Sequence, residues 1–105
     1  MELTLNEAQH SARLAVYMTD TIVVRLMEDP DGLYRWRLSS ADPDTLEMID
    51  QRYELAHTDS GASGASVWTF KPKKTGRTRL ELAKLRPWQG GDAPADQFAV
   101  DLDIR

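Results

Sequence analysis

The feature that most constrains this chain is an alternation of apolar and polar residues with a period of two. It is clearest in residues 33–38, where arginines separate Tyr34, Trp36 and Leu38. It recurs in residues 98–104, where aspartates separate the last three apolar residues, Val100, Leu102 and Ile104. Because successive side chains of a β-strand point to opposite faces of a sheet, this period predicts strands with one buried and one solvated face. We therefore expect an all-β fold.

Shorter runs of the same kind recur along the 105 residues of the chain. They lie at residues 3–5, 13–18, 21–26, 46–49, 68–70 and 80–82. Segments rich in Gly, Pro, Asp and Ser separate the runs, at residues 29–32, 41–44, 60–64 and 89–94. Seven or eight short strands with turns at near-regular spacing are typical of a β-sandwich. The chain is too short for two independent cores, so we expect one domain over residues 1–105.

Composition removes several classes of protein. The chain has no cysteine, which excludes disulfides, thiolate nucleophiles and cysteine-ligated metal sites. No apolar run approaches the roughly 18 residues that a membrane span requires, so we expect no membrane partner. The first residues have neither the basic nor the apolar region of a signal peptide. This predicts a cytoplasmic protein, or a periplasmic or secreted one if a leader has been removed.

Catalytic patterns are not evident in the sequence. His10 and His57 have no motif around them, and no serine lies in the strand–turn–helix context of a hydrolase nucleophile. Residues 29–32 (Asp-Pro-Asp-Gly) resemble the start of a calcium loop but lack its later oxygen ligands, and a type I turn accounts for them. We therefore expect a protein that is not an enzyme and has no catalytic residue, metal or cofactor.

Charge is unevenly distributed behind a net charge of −4. Residues 71–88 contain seven lysines and arginines and a single acidic residue, Glu81. Such a block can bind nucleic acid or another anionic partner, or it can be the solvated face of a strand and its turn. The Pro and Gly residues within residues 71–76 favour the solvated face. We therefore expect no nucleic-acid partner.

The three tryptophans fall into two groups. Trp36 and Trp68 lie at apolar positions of predicted strands, which predicts core packing. Trp88 follows Arg86 and Pro87 and precedes two glycines, which places it at a strand end or in a loop. A tryptophan beside an arginine in such a place is suited to anchor a protein interface, or it can pack over the end of the sandwich.

Three segments and the strands between them resemble the chagasin family of cysteine-peptidase inhibitors. The family patterns are Asn-Pro-Thr-Thr-Gly before an aromatic-x-Trp strand, Gly-x-Gly-Gly before a Trp-x-Phe strand, and Arg-Pro-Trp. The corresponding residues here are Asp-Pro-Asp-Gly-Leu at 29–33, Gly-Ala-Ser-Gly at 61–64 and Arg-Pro-Trp at 86–88. The resemblance extends from about residue 13 to the C-terminus.

The resemblance implies a single immunoglobulin-like β-sandwich that presents three neighbouring loops, at residues 29–33, 61–66 and 86–89, at one end. Such loops block the active-site cleft of papain-like cysteine proteases, which makes a protease the expected partner of a monomeric inhibitor. Small residues let backbone enter a narrow cleft, and a tryptophan supplies rigid apolar area beside it. The implied protease-binding residues are Asp29, Pro30, Asp31, Gly32, Leu33, Gly61, Ala62, Ser63, Gly64, Ala65, Arg86, Pro87 and Trp88.

This chain departs from the family pattern mainly in the first segment. Asp29 replaces the asparagine, Asp31 and Gly32 replace the two threonines, and Leu33 replaces the glycine. In the second segment Ser63 replaces a glycine. Carboxylates that enter a protease cleft lose hydration unless cations meet them. The alternative is therefore a non-inhibitory binding or adaptor sandwich that uses the same loops or the basic face of residues 71–86.

Overall fold

Eight strands form the part of the chain that the computed structural model describes, which is residues 1–28, 34–58, 61–85 and 96–105, with backbone alone at 56–58 and 61–63. A 3-10 turn at Glu7–Gln9 follows the first strand. The strands are β1 Glu2–Leu5, β2 Arg13–Val16, β3 Thr21–Glu28, β4 Arg35–Ser40, β5 Leu46–Thr58, β6 Gly61–Pro72, β7 Gly76–Leu85 and β8 Asp96–Ile104. Each predicted strand is present, and the all-β prediction is confirmed.

The strands form two four-stranded sheets that pack as a sandwich. One sheet has the strand order β1-β3-β6-β5 and the other has the order β2-β8-β7-β4. The short strands β1 and β2 pair in parallel with β3 and β8, whereas the other pairs are antiparallel. In the described residues no helix is long and apolar enough to cross a membrane.

The core lies between the sheets and is built mainly from alternate residues of β3, β6, β7 and β8. Ile22, Val24 and Leu26 of β3 are fully buried. The same period places the inward residues of the other strands in one cluster, which includes Trp36, Trp68, Phe70, Leu80, Leu82, Phe98, Val100, Leu102 and Ile104. Trp36 and Trp68 are 4% and 0% exposed, so the prediction that both pack in the core is confirmed.

The structure corrects the predicted boundary between the second loop and β6. Residues 61–66, expected to form a loop, belong to β6 and pair with β5 from Gly61 opposite Thr58 to Ser66 opposite Tyr53. Small residues do not prevent this, because pairing uses backbone groups that every residue here has. The second predicted loop is therefore the end of a long β5–β6 hairpin.

Truncation of a fully buried leucine tests this division between core and surface. Leu80 is 0% exposed and Leu38 is 38% exposed. We expect Leu80→Ala to lower the free energy of unfolding by about 2–5 kcal/mol, since it leaves a cavity, and Leu38→Ala to lower it by about 1 kcal/mol or less. Denaturant titration of both variants measures these losses. Equal losses would contradict the assignment of Leu80 to the core.

Candidate functional site

Strand registers bring three chain connections to one end of the sandwich. In the first sheet, Glu28 at the end of β3 lies opposite Gly64, near the start of β6. In the second sheet, Arg35 at the start of β4 lies opposite Leu85 at the end of β7. The connections β3–β4, β5–β6 and β7–β8 therefore leave the sheets at the same end. The first and the third include residues 29–33 and 86–88, and residues 61–64 begin β6 directly after the second.

Most of the predicted binding residues lie outside the described part of the chain. This holds for the first segment (Asp29, Pro30, Asp31, Gly32 and Leu33) and for the third (Arg86, Pro87 and Trp88). Gly61, Ala62 and Ser63 are described as backbone of β6. Gly64 and Ala65 are fully described.

Ala65 is covered on the outer face of its sheet. Its side chain is 0% exposed. Arg25 of β3 and Glu54 of β5 flank β6 and form an ion pair of 3.7 Å, so this pair crosses β6 beside Ala65. Arg52 also donates to Glu54, at 3.0 Å, and this hydrogen bond is the main reason that the pKa of Arg52 is raised. The side chain of Ala65 therefore supports the hairpin and is not presented to a partner.

Gly64 provides the space into which the Tyr53 side chain folds. A Cβ atom at Gly64 would overlap the Tyr53 hydroxyl oxygen. The guanidinium carbon of Arg35 lies 5.9 Å from the centre of the Tyr53 ring, within range of a cation–π interaction. Tyr53 thus connects the base of the β5–β6 hairpin to the first residue of β4.

Glu28 is a buried acidic residue at the same end of the sandwich, with 7% of its surface exposed. Its Oε1 atom accepts hydrogen bonds from the Trp36 backbone N–H, at 3.2 Å, and from the Ser66 hydroxyl. The indole Nε1–H of Trp36 donates to the Met27 carbonyl at 2.9 Å. Glu28 was not among the predicted site residues, and Ser66 was expected only as the last residue of the second loop. An available signal was the position of Glu28, which continues the inward series of residues 22, 24 and 26.

Charges of the basic face are partly neutralised by acidic neighbours. Arg79 forms ion pairs of 2.5 Å with Glu81 and 3.3 Å with Asp101, and the hydrogen bond with Glu81 is the main reason that the pKa of Arg79 is raised. The Lys73 ammonium donates to the Pro43 carbonyl at 3.1 Å. This pattern is that of a solvated strand face.

The remaining candidates for chemistry are metal-ligating groups and the two histidines. Within the four described stretches, no group of three or more His, Asp or Glu side chains could hold a metal ion. The Nδ1 atom of His10 accepts a hydrogen bond from the Ala99 backbone N–H at 3.1 Å, which gives His10 a structural role between the 3-10 turn and β8. The side chain of His57 lies outside the described part.

A known protein family matches most of this chain. The sequence model of the Chagasin family peptidase inhibitor I42 matches residues 15–102. This range contains all three segments at the end of the sandwich.

Individual proteins are also similar. Amoebiasin-2 of Entamoeba histolytica is 27% identical over 104 residues, which cover 96% of this chain and 84% of that protein. The crystal structure of the cysteine protease inhibitor EhICP2 from Entamoeba histolytica matches with a TM-score of 0.84 and 24% identity, over 99% of this chain and 95% of that one. The structure of PbICP-C in complex with falcipain-2 matches with a TM-score of 0.68 and 12% identity, over 99% and 98% of the two chains. Both structures share the fold of this chain.

A double-mutant cycle tests the packing of Tyr53 on Gly64. The backbone of Gly64 is that of an extended strand, and its φ is not positive, so alanine is sterically allowed there once Tyr53 is removed. We expect Gly64→Ala to lower the free energy of unfolding by about 1–3 kcal/mol when Tyr53 is present, because the tyrosine must move. With Tyr53→Ala, the same change becomes neutral or stabilises by about 0.5 kcal/mol.

The coupling energy between the two substitutions, measured by denaturant unfolding, is the decisive quantity. Additive effects would show that Tyr53 does not occupy the space above Gly64.

Proposed function

Because this chain belongs to the chagasin family of peptidase inhibitors, we propose that it inhibits papain-like cysteine proteases by inserting one end of its sandwich into their active-site cleft. The family match along residues 15–102 carries this proposal. The strand registers support it, since they bring to a common end of the sandwich the start of β6 and the strand ends that flank residues 29–33 and 86–88. PbICP-C, which has the same fold, is found in complex with falcipain-2.

The proposed mechanism is steric occlusion without a chemical step. The end of the β5–β6 hairpin consists of small residues, and backbone with small side chains can approach the floor of a narrow cleft and hydrogen-bond there. In this mechanism Trp88 supplies rigid apolar area to the interface with the protease, and Arg86 supplies polar contacts at the rim of that interface. No residue of this chain needs to react, so the protein acts as an inhibitor and not as an enzyme.

A rigid sandwich makes such binding favourable. Segments anchored at both ends by paired strands lose less conformational entropy on binding than free loops do. Carboxylates of Asp29 and Asp31 enter with the first segment, and burying them is costly unless cations meet them. We therefore propose that a sensitive protease carries a basic group near the part of its cleft that receives residues 29–33.

Titration into a panel of papain-like proteases tests inhibition directly. We expect dose-dependent inhibition of at least one member and none of a serine protease used as control. Trp88→Ala should raise the inhibition constant about 10- to 100-fold, since tryptophan anchors dominate interface energies. Ser63→Trp should raise it by a similar factor because a large side chain blocks entry to the cleft.

Circular dichroism of each variant checks that the fold is retained, and Lys73→Ala and Arg77→Ala serve as controls that leave the inhibition constant unchanged. Absence of inhibition across the panel at large excess would exclude this function. Loss of binding in the Lys73 and Arg77 variants, with strong salt dependence, would instead assign binding to the basic face.

A further inference from the structure

Glu28 occupies an interior position at which an apolar residue would be expected. It is the last residue of β3 and continues the buried series of Ile22, Val24 and Leu26. A carboxylate removed from water lowers stability unless hydrogen bonds replace its hydration. The reason for an acidic residue here must therefore be found in the contacts that it makes.

Those contacts satisfy one carboxylate oxygen, and among the described residues the other oxygen has no partner. Oε1 accepts hydrogen bonds from the Ser66 hydroxyl and the Trp36 backbone N–H. Oε2 is buried, and no donor in the described part of the chain reaches it. Partly satisfied buried carboxylates are commonly less stabilising than an apolar residue of the same size. A gain in stability therefore does not explain why this interior position holds a glutamate.

The position of these contacts suggests a different role. Glu28 immediately precedes the first binding segment, and Trp36 is the second residue of the strand that follows it. Ser66 lies in β6 just beyond the second segment. A single oxygen atom thus connects both ends of the first segment to the base of the second, and joins strands of the two sheets.

A second group of contacts extends this connection toward the third segment. The Trp36 indole donates to the Met27 carbonyl, so Trp36 is attached to β3 through both its backbone and its side chain. The Lys84 ammonium lies 5.8 Å from the centre of the Trp36 ring, near the end of β7, from which residues 86–88 continue.

We propose that Glu28 is a positioning residue, which acts through Ser66 and Trp36 to hold the three protease-binding segments at their correct spacing. This inference rests on the proposed function. A partner cleft of fixed shape accepts only one spacing of the segments, and segments already held at that spacing lose less freedom on binding. We therefore expect loss of the network to weaken binding to the protease by more than it lowers the free energy of unfolding.

Two hydroxyl deletions at opposite ends of the sandwich form the matched test. Ser66→Ala removes the hydroxyl that donates to Glu28. Thr78→Val removes a hydroxyl that is hydrogen-bonded to Thr45 at 3.0 Å, between the two sheets at the end far from the binding segments. Each variant loses one part-buried hydrogen bond, and denaturant unfolding of both variants measures the accompanying loss of stability with which the change in inhibition is compared.

Inhibition constants distinguish the two ends. With a protease that the wild-type protein inhibits, we expect Ser66→Ala to raise the inhibition constant about 10-fold and Thr78→Val to change it less than about 2-fold. The increase should appear in the dissociation rate, since the contacts with the protease remain and only their alignment changes.

Two substitutions of Glu28 separate hydrogen bonding from charge. Glu28→Gln keeps an oxygen that accepts from Ser66 and Trp36, so we expect its inhibition constant to stay within about 3-fold of wild type. Glu28→Leu keeps the size and apolar packing but removes the acceptor, and we expect an increase of about 10-fold or more. Should Glu28→Leu fail to fold, the comparison of Ser66→Ala with Thr78→Val decides the question.

The outcomes separate this inference from the function on which it rests. A wild-type protein that inhibits no papain-like protease would overturn the proposed function and the inference together. A wild-type protein that inhibits, with Ser66→Ala and Thr78→Val equally active, would overturn the positioning role alone. Retained affinity in a folded Glu28→Leu variant would also overturn it.

Discussion

Apolar packing between two sheets is the interaction on which the rest of this structure depends. With no cysteine in the chain, no disulfide joins the sheets, and every second residue of the long strands must supply the attraction instead. The inward residues form one buried apolar cluster, which includes Ile22 of β3 and Ile104 of β8. Since residues within the strands fill the interior, the segments that connect the strands at the ends of the sandwich are not needed for the core and can serve binding.

The end of the sandwich proposed to bind a protease differs in its chemistry from the core beneath it. Trp36 and Trp68 bury large, mainly apolar side chains, whereas Glu28 buries a carboxyl group whose Oε2 atom meets no donor among the described residues. Polar groups of this kind lower stability and at the same time restrict geometry, because a hydrogen bond requires a defined distance and angle. An end that must match a rigid partner benefits from that restriction, and the core behind it supplies the stability that is lost.

The outer faces of the sheets show how the chain manages its charge. Arg25, Glu54 and Arg52 form a network across β6 that covers Ala65, and Arg79 pairs with acidic residues on β7 and β8. The alternation that buries one face of each strand also places these opposite charges side by side on the other face. A block that is basic in the linear sequence is therefore mixed in charge once the strands are paired.

What the sequence determined by itself was local. A period of two specifies which residues face inward whatever the sheet order, so the strands, the core and the roles of Trp36 and Trp68 were predictable. The extension of β6 through residues 61–66 was not, because these small residues carry no strand signal and form a strand through pairing with β5 and, at residues 64–66, with β3 as well. Likewise, only the tertiary structure decided that Glu28 meets Ser66 and Trp36. Hydrogen bonds between distant residues depend on register and sheet packing, and neither is encoded in the pattern of a single strand.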